Sequence, residues 1–218
     1  MSVDPSSSQP LQPSSREGGA CLPAVTSLLL PEAFSQRIQG CRDQFLRADG
    51  RFSEEQIVSI SGSSDGFDEG SFHFVSGEPS RETGVIRLSV IPSLENGAEA
   101  KLPFQHFYPG YTEPLRAADA EISRFLVAPE ARQGKSTSYL IEAALRWCVV
   151  ESVDRLFIDV VDGNLGVSPK SYERHFGFMF TGSTGYDDNY SCPTHLMVLI
   201  GRDAIRAVSE RLTRRAMR

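Results

Sequence analysis

Residues 155–161, Arg-Leu-Phe-Ile-Asp-Val-Val, constrain the fold more than any other stretch. The run has the length of a strand and is apolar on both faces, the pattern of a central strand covered on two sides. A chain with such a strand needs one layer above it and one below. The segment just before it supplies one of them. In 137–151, Leu140, Ala144 and Cys148 form one helical line, and Ile141, Leu145 and Val149 form another. The segment 120–128 reads as a further strand, so the middle of the chain runs strand, helix, strand.

Other elements flank this unit. Phe34, Ile38, Cys41 and Phe45 recur at helical spacing over 31–47, with Pro31 in the first turn and Asp49-Gly50 ending the run. Residues 52–60 fit neither period clearly, and 61–66, Ser-Gly-Ser-Ser-Asp-Gly, is a loop. Segment 71–76 alternates, with Phe72 and Phe74 on one face and His73 and Val75 on the other. With 84–91 it makes a hairpin across the turn at 77–80. Residues 96–119 are rich in aromatics and proline and lack a clear period, the mark of a long functional loop. A short helix is expected over 168–175, with Pro169 in its first turn, and strands over 178–181 and 194–200. The class is α+β, or mixed α/β, with no solenoid repeat. One domain is expected over 25–201, with a disordered tail over 1–24 and a basic helix or tail over 202–218.

Composition removes several function classes. The net charge of −6 gives no basic field for nucleic acid. No apolar run approaches the roughly 20 residues of a membrane span, and the start lacks the basic end and apolar centre of a signal peptide. Cys21, Cys41, Cys148 and Cys192 are scattered, so free thiols in a reducing cytoplasm are expected. His73, His106, His175 and His195 show no metal spacing, and no metal is expected.

Three stretches carry chemistry. In 127–137, Arg132, Gly134, Lys135, Ser136 and Thr137 lie where a strand meets a helix, and a helix start offers free N–H groups to phosphate. A solvated turn capped by Ser136 or Thr137 has the same composition. In 168–178, Tyr172-Glu173-Arg174 precedes Gly177-Phe178; the phenol of Tyr172 can donate a proton, or pack its ring against a pocket wall. In 121–127, Glu121 and Arg124 are charges on a strand between apolar neighbours and need partners. Asp65, Asp68 and Arg87 are the candidates, as a substrate site or as an ion-pair network ordering the loop at Asp65. Residues three apart on a regular strand point to opposite faces, so Glu121 and Arg124 serve one cleft only if the strand is bulged.

The string Glu121-Ile122-Ser123-Arg124-Phe125-Leu126-Val127 resembles the Glu-x-Ser-Arg strand of acyl-homoserine-lactone synthases and of long-chain N-acyl amino acid synthases. Asp65-Gly66-Phe67-Asp68 is similar to their Asp-x-x-Asp, and Gly84-Val85-Ile86-Arg87-Leu88 to their Gly-x-x-Arg-Leu strand. Arg132 to Thr137 is similar to the acyl-CoA signature of GNAT enzymes, with Gly134 displaced by one. Arg42 and Phe45 match the synthases' amino-terminal Arg and Phe only approximately in spacing.

The resemblance implies a GNAT-like fold, a mostly antiparallel sheet flanked by helices. It implies N-acyl transfer from an acyl-CoA or acyl carrier protein thioester to a small amine, with no tightly bound cofactor. Glu121 is then the base and Tyr172 the acid. Asp65, Asp68, Arg87 and Arg124 hold the acceptor, and Phe125, Leu126 and Val127 line the thioester with backbone N–H groups. An acetyl-CoA-dependent acetyltransferase and a non-catalytic acyl- or partner-binding module are the alternatives.

Overall fold

The computed structural model of the chain describes residues 24–26, 32–62, 66–68, 70–78, 80–91, 101–132, 135–161, 168–188 and 190–216. Seven strands among them form one sheet: β1 (Ala24–Thr26), β2 (Phe72–Glu78), β3 (Arg81–Val90), β4 (Asp119–Val127), β5 (Arg155–Val161), β6 (Met179–Asp187) and β7 (Cys192–Ile200). Their order is β1-β2-β3-β4-β5-β7-β6. Every neighbouring pair is antiparallel except β4 and β5. Those two are parallel because a helix, α3 (Ser136–Val150), connects them and a crossover of that length returns the chain in the same direction. The expected mixed α/β architecture is the one observed.

Side-chain alternation divides the apolar residues between two layers. Phe72, Phe74, Ile86, Leu88, Ala120, Ile122, Leu156, Ile158 and Val160 face α3 and α5 (Arg202–Ala216). The alternate residues face the other way. Val75 and Val85 pack on Ile38, Cys41 and Phe45 of α1 (Glu32–Asp49). Phe157, Leu196 and Val198 pack on Leu102, Phe104 and Tyr108. The described part of the expected long loop, 101–118, therefore covers the second face of β5 and β7. This is the two-sided cover that 155–161 demanded.

Several expectations change. The ambiguous stretch 52–60 is a helix, α2 (Glu54–Ser61), started by a capping box in which the Gln56 N–H donates to Ser53 Oγ at 3.2 Å and the Ser53 N–H to Gln56 Oε1 at 2.8 Å. The tail expected over 1–24 ends in a strand, since Ala24 opens β1; its other residues lie outside the described ones. Residues 202–216 are a helix whose Ile205, Val208 and Leu212 are buried in the main core. Strand β6 runs on to Asp187, well past the expected end at 181. It is an edge strand with mostly solvated side chains, so it lacks an apolar signature. Cys41 and Cys148 are buried free thiols, and Cys21 lies outside the described residues. No helix among the described residues is long and apolar enough to cross a membrane.

Candidate active site

β4 and β5 pair from Asp119↔Arg155 only as far as Ile122↔Ile158. Beyond that point the strands part, and the β5-facing edge of β4 has no ladder partner among the described residues from Ser123 onward. The split opens into a cleft of about 1020 Å³. Leu145, Ile158 and Val160 give it apolar walls, and Glu121, Arg124, Asp159 and Tyr172 are among its polar lining.

The strand is bulged, as a shared cleft for Glu121 and Arg124 required. Between Val85↔Leu126 and Arg87↔Ser123, β3 advances two residues while β4 advances three. The extra residue is absorbed near Arg124, whose φ of 51° is left-handed. Side-chain parity changes there. Ala120 and Ile122 face α3, but so do Phe125 and Val127. Leu126 joins the α1 and α2 side. Both charges consequently line the one cleft.

Each expected site residue has a definite place. Glu121 is 2% exposed, and its Oε2 accepts the Phe104 N–H at 2.7 Å. The Arg124 guanidinium donates to the Ile60 carbonyl at the end of α2. Asp68 is held by Arg87 Nη1 at 2.8 Å, and Arg87 Nε also donates to Ser123 Oγ at 3.0 Å. Asp65 lies outside the described residues. Among the described contacts, Asp68 pairs with Arg87, Glu121 reaches the 101–118 segment and Arg124 reaches α2.

The partner that sequence spacing underrated is Arg42. Its Nη1 and Nη2 lie 2.7 and 3.1 Å from the two carboxylate oxygens of Asp68, a fork-to-fork pair reaching in from α1. Arg42 and Arg87 are each 1% exposed. Burial works against ionisation of Asp68, but the two guanidiniums prevail and hold its carboxyl below the usual range. His73 Nε2 donates to the Asp68 carbonyl at 3.2 Å, and burial lowers its imidazole to about 4.

Tyr172 sits on α4 (Pro169–Phe176) and packs on Phe176 and Phe178. Burial raises its phenol to about 12, so it remains protonated at neutral pH. It belongs to the α3 side of the sheet, whereas Glu121 lies on the α1 side. The two groups reach the split from opposite faces.

The phosphate-loop residues are less of a unit. Gly134 lies outside the described residues. Arg132 is turned toward Asp49 at the end of α1, and its Nε donates to the Val127 carbonyl at 3.2 Å. Lys135 is exposed. Ser136 does not cap α3; it is the first helical residue, and its hydroxyl donates to Thr83 Oγ1 at 2.9 Å. The cap position falls to Lys135, which makes no side-chain cap bond, and Thr137 lines the cleft within the first turn. Leaving first-turn N–H groups without a side-chain cap keeps the positive end of α3 open toward the cleft.

Sequence reading missed two further polar groups. Arg155 clamps Asp119 at the base of the β4–β5 pair, with Nε 2.9 Å from Oδ1. Asp159 faces the cleft beyond the split and accepts the Tyr108 hydroxyl at 2.5 Å.

No protein-family model matches the sequence, and no curated protein matches it significantly. Solved structures do match. BjaI, a CoA-dependent acyl-homoserine lactone synthase solved with SAM and isopentyl-CoA, superposes with a TM-score of 0.58 at 18% identity, over 88% of this chain and 90% of that one. MesI, another CoA-dependent acyl-homoserine lactone synthase, gives 0.54 at 16% identity, over 84% and 88%. This chain shares its fold with these two structures. TofI in its apo form adds a third match, at 0.57 and 15% identity, over 86% and 95%. At these identities the likeness is one of fold, and it is the GNAT-like arrangement that Glu121-Ile122-Ser123-Arg124 implied. In this chain, the parted strands and the bulged β4 define where the cleft lies.

Proposed function

We propose that the chain is an N-acyltransferase that moves an acyl group from a thioester, on CoA or acyl carrier protein, to the amine of an amino acid or related small molecule. The observation that carries this reading is the split: β4 leaves β5 after Ile122, bulges at Arg124, and opens a cleft lined by Glu121, Arg124 and Tyr172.

The chemistry follows from that layout. The thioester lies along the open edge of β4, and backbone N–H groups of Phe125 to Val127 hold the oxyanion. Its phosphates lie at the uncapped start of α3, near Lys135, Ser136 and Thr137. Apolar Ile141, Leu145 and Ile158 take the acyl chain. The acceptor enters from the other face, where Arg124 and the Asp68–Arg87 pair position it. Glu121 receives a proton from the attacking nitrogen, and Tyr172, protonated at neutral pH, gives one to the departing thiolate.

The test is donor and acceptor choice. The chain is incubated with pooled amino acids and acetyl-CoA, dodecanoyl-CoA or a dodecanoyl carrier protein. Thiol release and product mass are read. Amine-dependent release from a long-chain donor, with an N-acyl amino acid formed, is expected. Turnover of acetyl-CoA alone would make it a simple acetyltransferase. Saturable thioester binding without product would make it a binding module.

A further inference from the structure

Aminolysis of a thioester by an amino acid moves two protons off nitrogen, because the amine arrives as an ammonium ion. Glu121 accounts for one of them. On β5, directly across the split from β4, stands a second carboxylate, Asp159. It follows Ile158, the last β5 residue paired with β4, by one position. Glu121 pairs with Phe157, so Phe157 and Asp159, two apart on β5, lie on the same face of the sheet as Glu121. Both carboxylates line the one cleft.

The surroundings of Asp159 come from four elements. Tyr108 of the 101–118 segment donates to its Oδ1 at 2.5 Å, and the Tyr108 oxygen is 2.7 Å from Thr194 Oγ1 on β7. Thr194 also hydrogen-bonds Asp159. Tyr108 has one proton, and the carboxylate is the stronger acceptor, so the Thr194 hydroxyl is the other donor of the group. His195 of β7 and Asp187 of β6 act on Asp159 by charge, and Glu121 of β4 acts on Tyr108. Among the described residues, these contacts fix the carboxylate in place without a lysine or arginine.

Resting on the acyl-transfer reading, we propose that Asp159 is a second catalytic carboxylate, which takes the proton that converts the acceptor's ammonium group into a nucleophilic amine. The ammonium N–H bond breaks, its electron pair stays on nitrogen, and the proton passes to Asp159. Nitrogen then bonds to the thioester carbon and yields its next proton to Glu121. The C–S bond breaks, and the thiolate takes the Tyr172 proton. Glu121 returns its proton to Tyr172 through the site, and Asp159 releases one proton to solvent. Burial raises the Asp159 carboxyl to about 6, and Asp187 adds to this. The tyrosine and threonine hydrogen bonds and His195 oppose the rise. A base near 6 is ionised at neutral pH and holds a proton better than an ordinary aspartate.

The experiment uses dodecanoyl-CoA with ethylamine or trifluoroethylamine. The two amines are close in shape, but the second is largely unprotonated at neutral pH and does not need the first transfer. Thiol release is followed for the parent chain, Asp159→Asn, Tyr108→Phe and Glu121→Gln, with a thermal melt of each. Asp159→Asn is expected to lose about 100-fold with ethylamine and less than about 5-fold with trifluoroethylamine. Glu121→Gln should lose heavily with both. Tyr108→Phe removes a donor to the ionised carboxylate, so the acid limb of its ethylamine pH profile should move upward from about 6. Equal losses with both amines in folded Asp159→Asn, or no loss with either, overturn the role. No amine-dependent release from the parent chain with these amines or with pooled amino acids overturns the acyl-transfer reading and the role with it.

Discussion

Between pH 6.5 and pH 4 the fold carries two titrations of opposite sign. Burial holds His73 neutral down to about pH 4, whereas an unfolded histidine charges below 6.5. The unfolded state binds more protons in that window, so this term lowers stability as pH falls. At about 1.4 kcal/mol per pH unit, the change is worth about 3 kcal/mol by pH 4. Asp159 does the reverse. Its folded carboxyl keeps a proton up to about pH 6, and the unfolded one loses it at 3.8. Here the folded state binds more protons, so this term raises stability as pH falls, also by about 3 kcal/mol. The two nearly cancel in the parent chain. Asp68, held below its usual range, adds its loss only below the unfolded value of 3.8. The perturbation is Asp159→Asn, which keeps an acceptor for the Tyr108 hydroxyl but abolishes the second titration. Urea unfolding at pH 6.5 and pH 4 is the assay, urea being chosen because it leaves charges unscreened. The parent should change by less than about 1 kcal/mol across the window, and Asp159→Asn should lose about 3 kcal/mol. The variant should also be the more stable protein at neutral pH, where the parent holds a desolvated charge. His73→Gln should show the opposite slope. An Asp159→Asn slope parallel to the parent's would refute the reasoning.

Glu121→Gln keeps an oxygen for the Phe104 N–H, so urea melts should show a loss within about 1.5 kcal/mol while thiol release falls about 10²- to 10⁴-fold. Comparable losses, once expressed as free energies, would remove Glu121 from the chemistry. Asp68→Ala leaves Arg42 and Arg87 buried against each other and should cost about 3–5 kcal/mol in the same melts, well beyond an exposed aspartate such as Asp203. Gly84→Ala places a Cβ 2.7 Å from Leu140 Cδ1 and 3.1 Å from the Leu126 carbonyl. It should cost about 1–3 kcal/mol and, by pushing β4 beside the bulge, lower turnover as well. Ile205→Ala should cost about 2–5 kcal/mol by thermal or urea unfolding, because α5 is part of the main core.

What sequence could reveal depends on how far apart the interacting residues are along the chain. α3 and β5 were legible because a helix or strand covered by apolar layers writes its own period, as Leu140, Ala144 and Cys148 do. β6 was cut short because an edge strand with alternating solvated residues has no apolar period to read, and Gly182, at φ +88°, interrupts it. α2 was ambiguous because eight residues make barely two turns, and its clearest signal was the Ser53 and Gln56 cap. The same limit applies inside the cleft. Glu121 and Arg124 stand in one local string, and strand parity alone shows that a bulge must lie between them if they share a cleft. Asp68 was legible as a charge in need of a partner, but Arg42 reaches it across 26 residues of chain. Asp159 left no local mark at all. It sits in a strand read as apolar on both faces, and its character comes from Tyr108, 51 residues earlier, and from the point where β4 departs. A short string can therefore announce the kind of chemistry, but the proton affinities are set by long-range packing. Those affinities decide which carboxylate takes which proton, and they are where pH profiles and paired amines have the most to say.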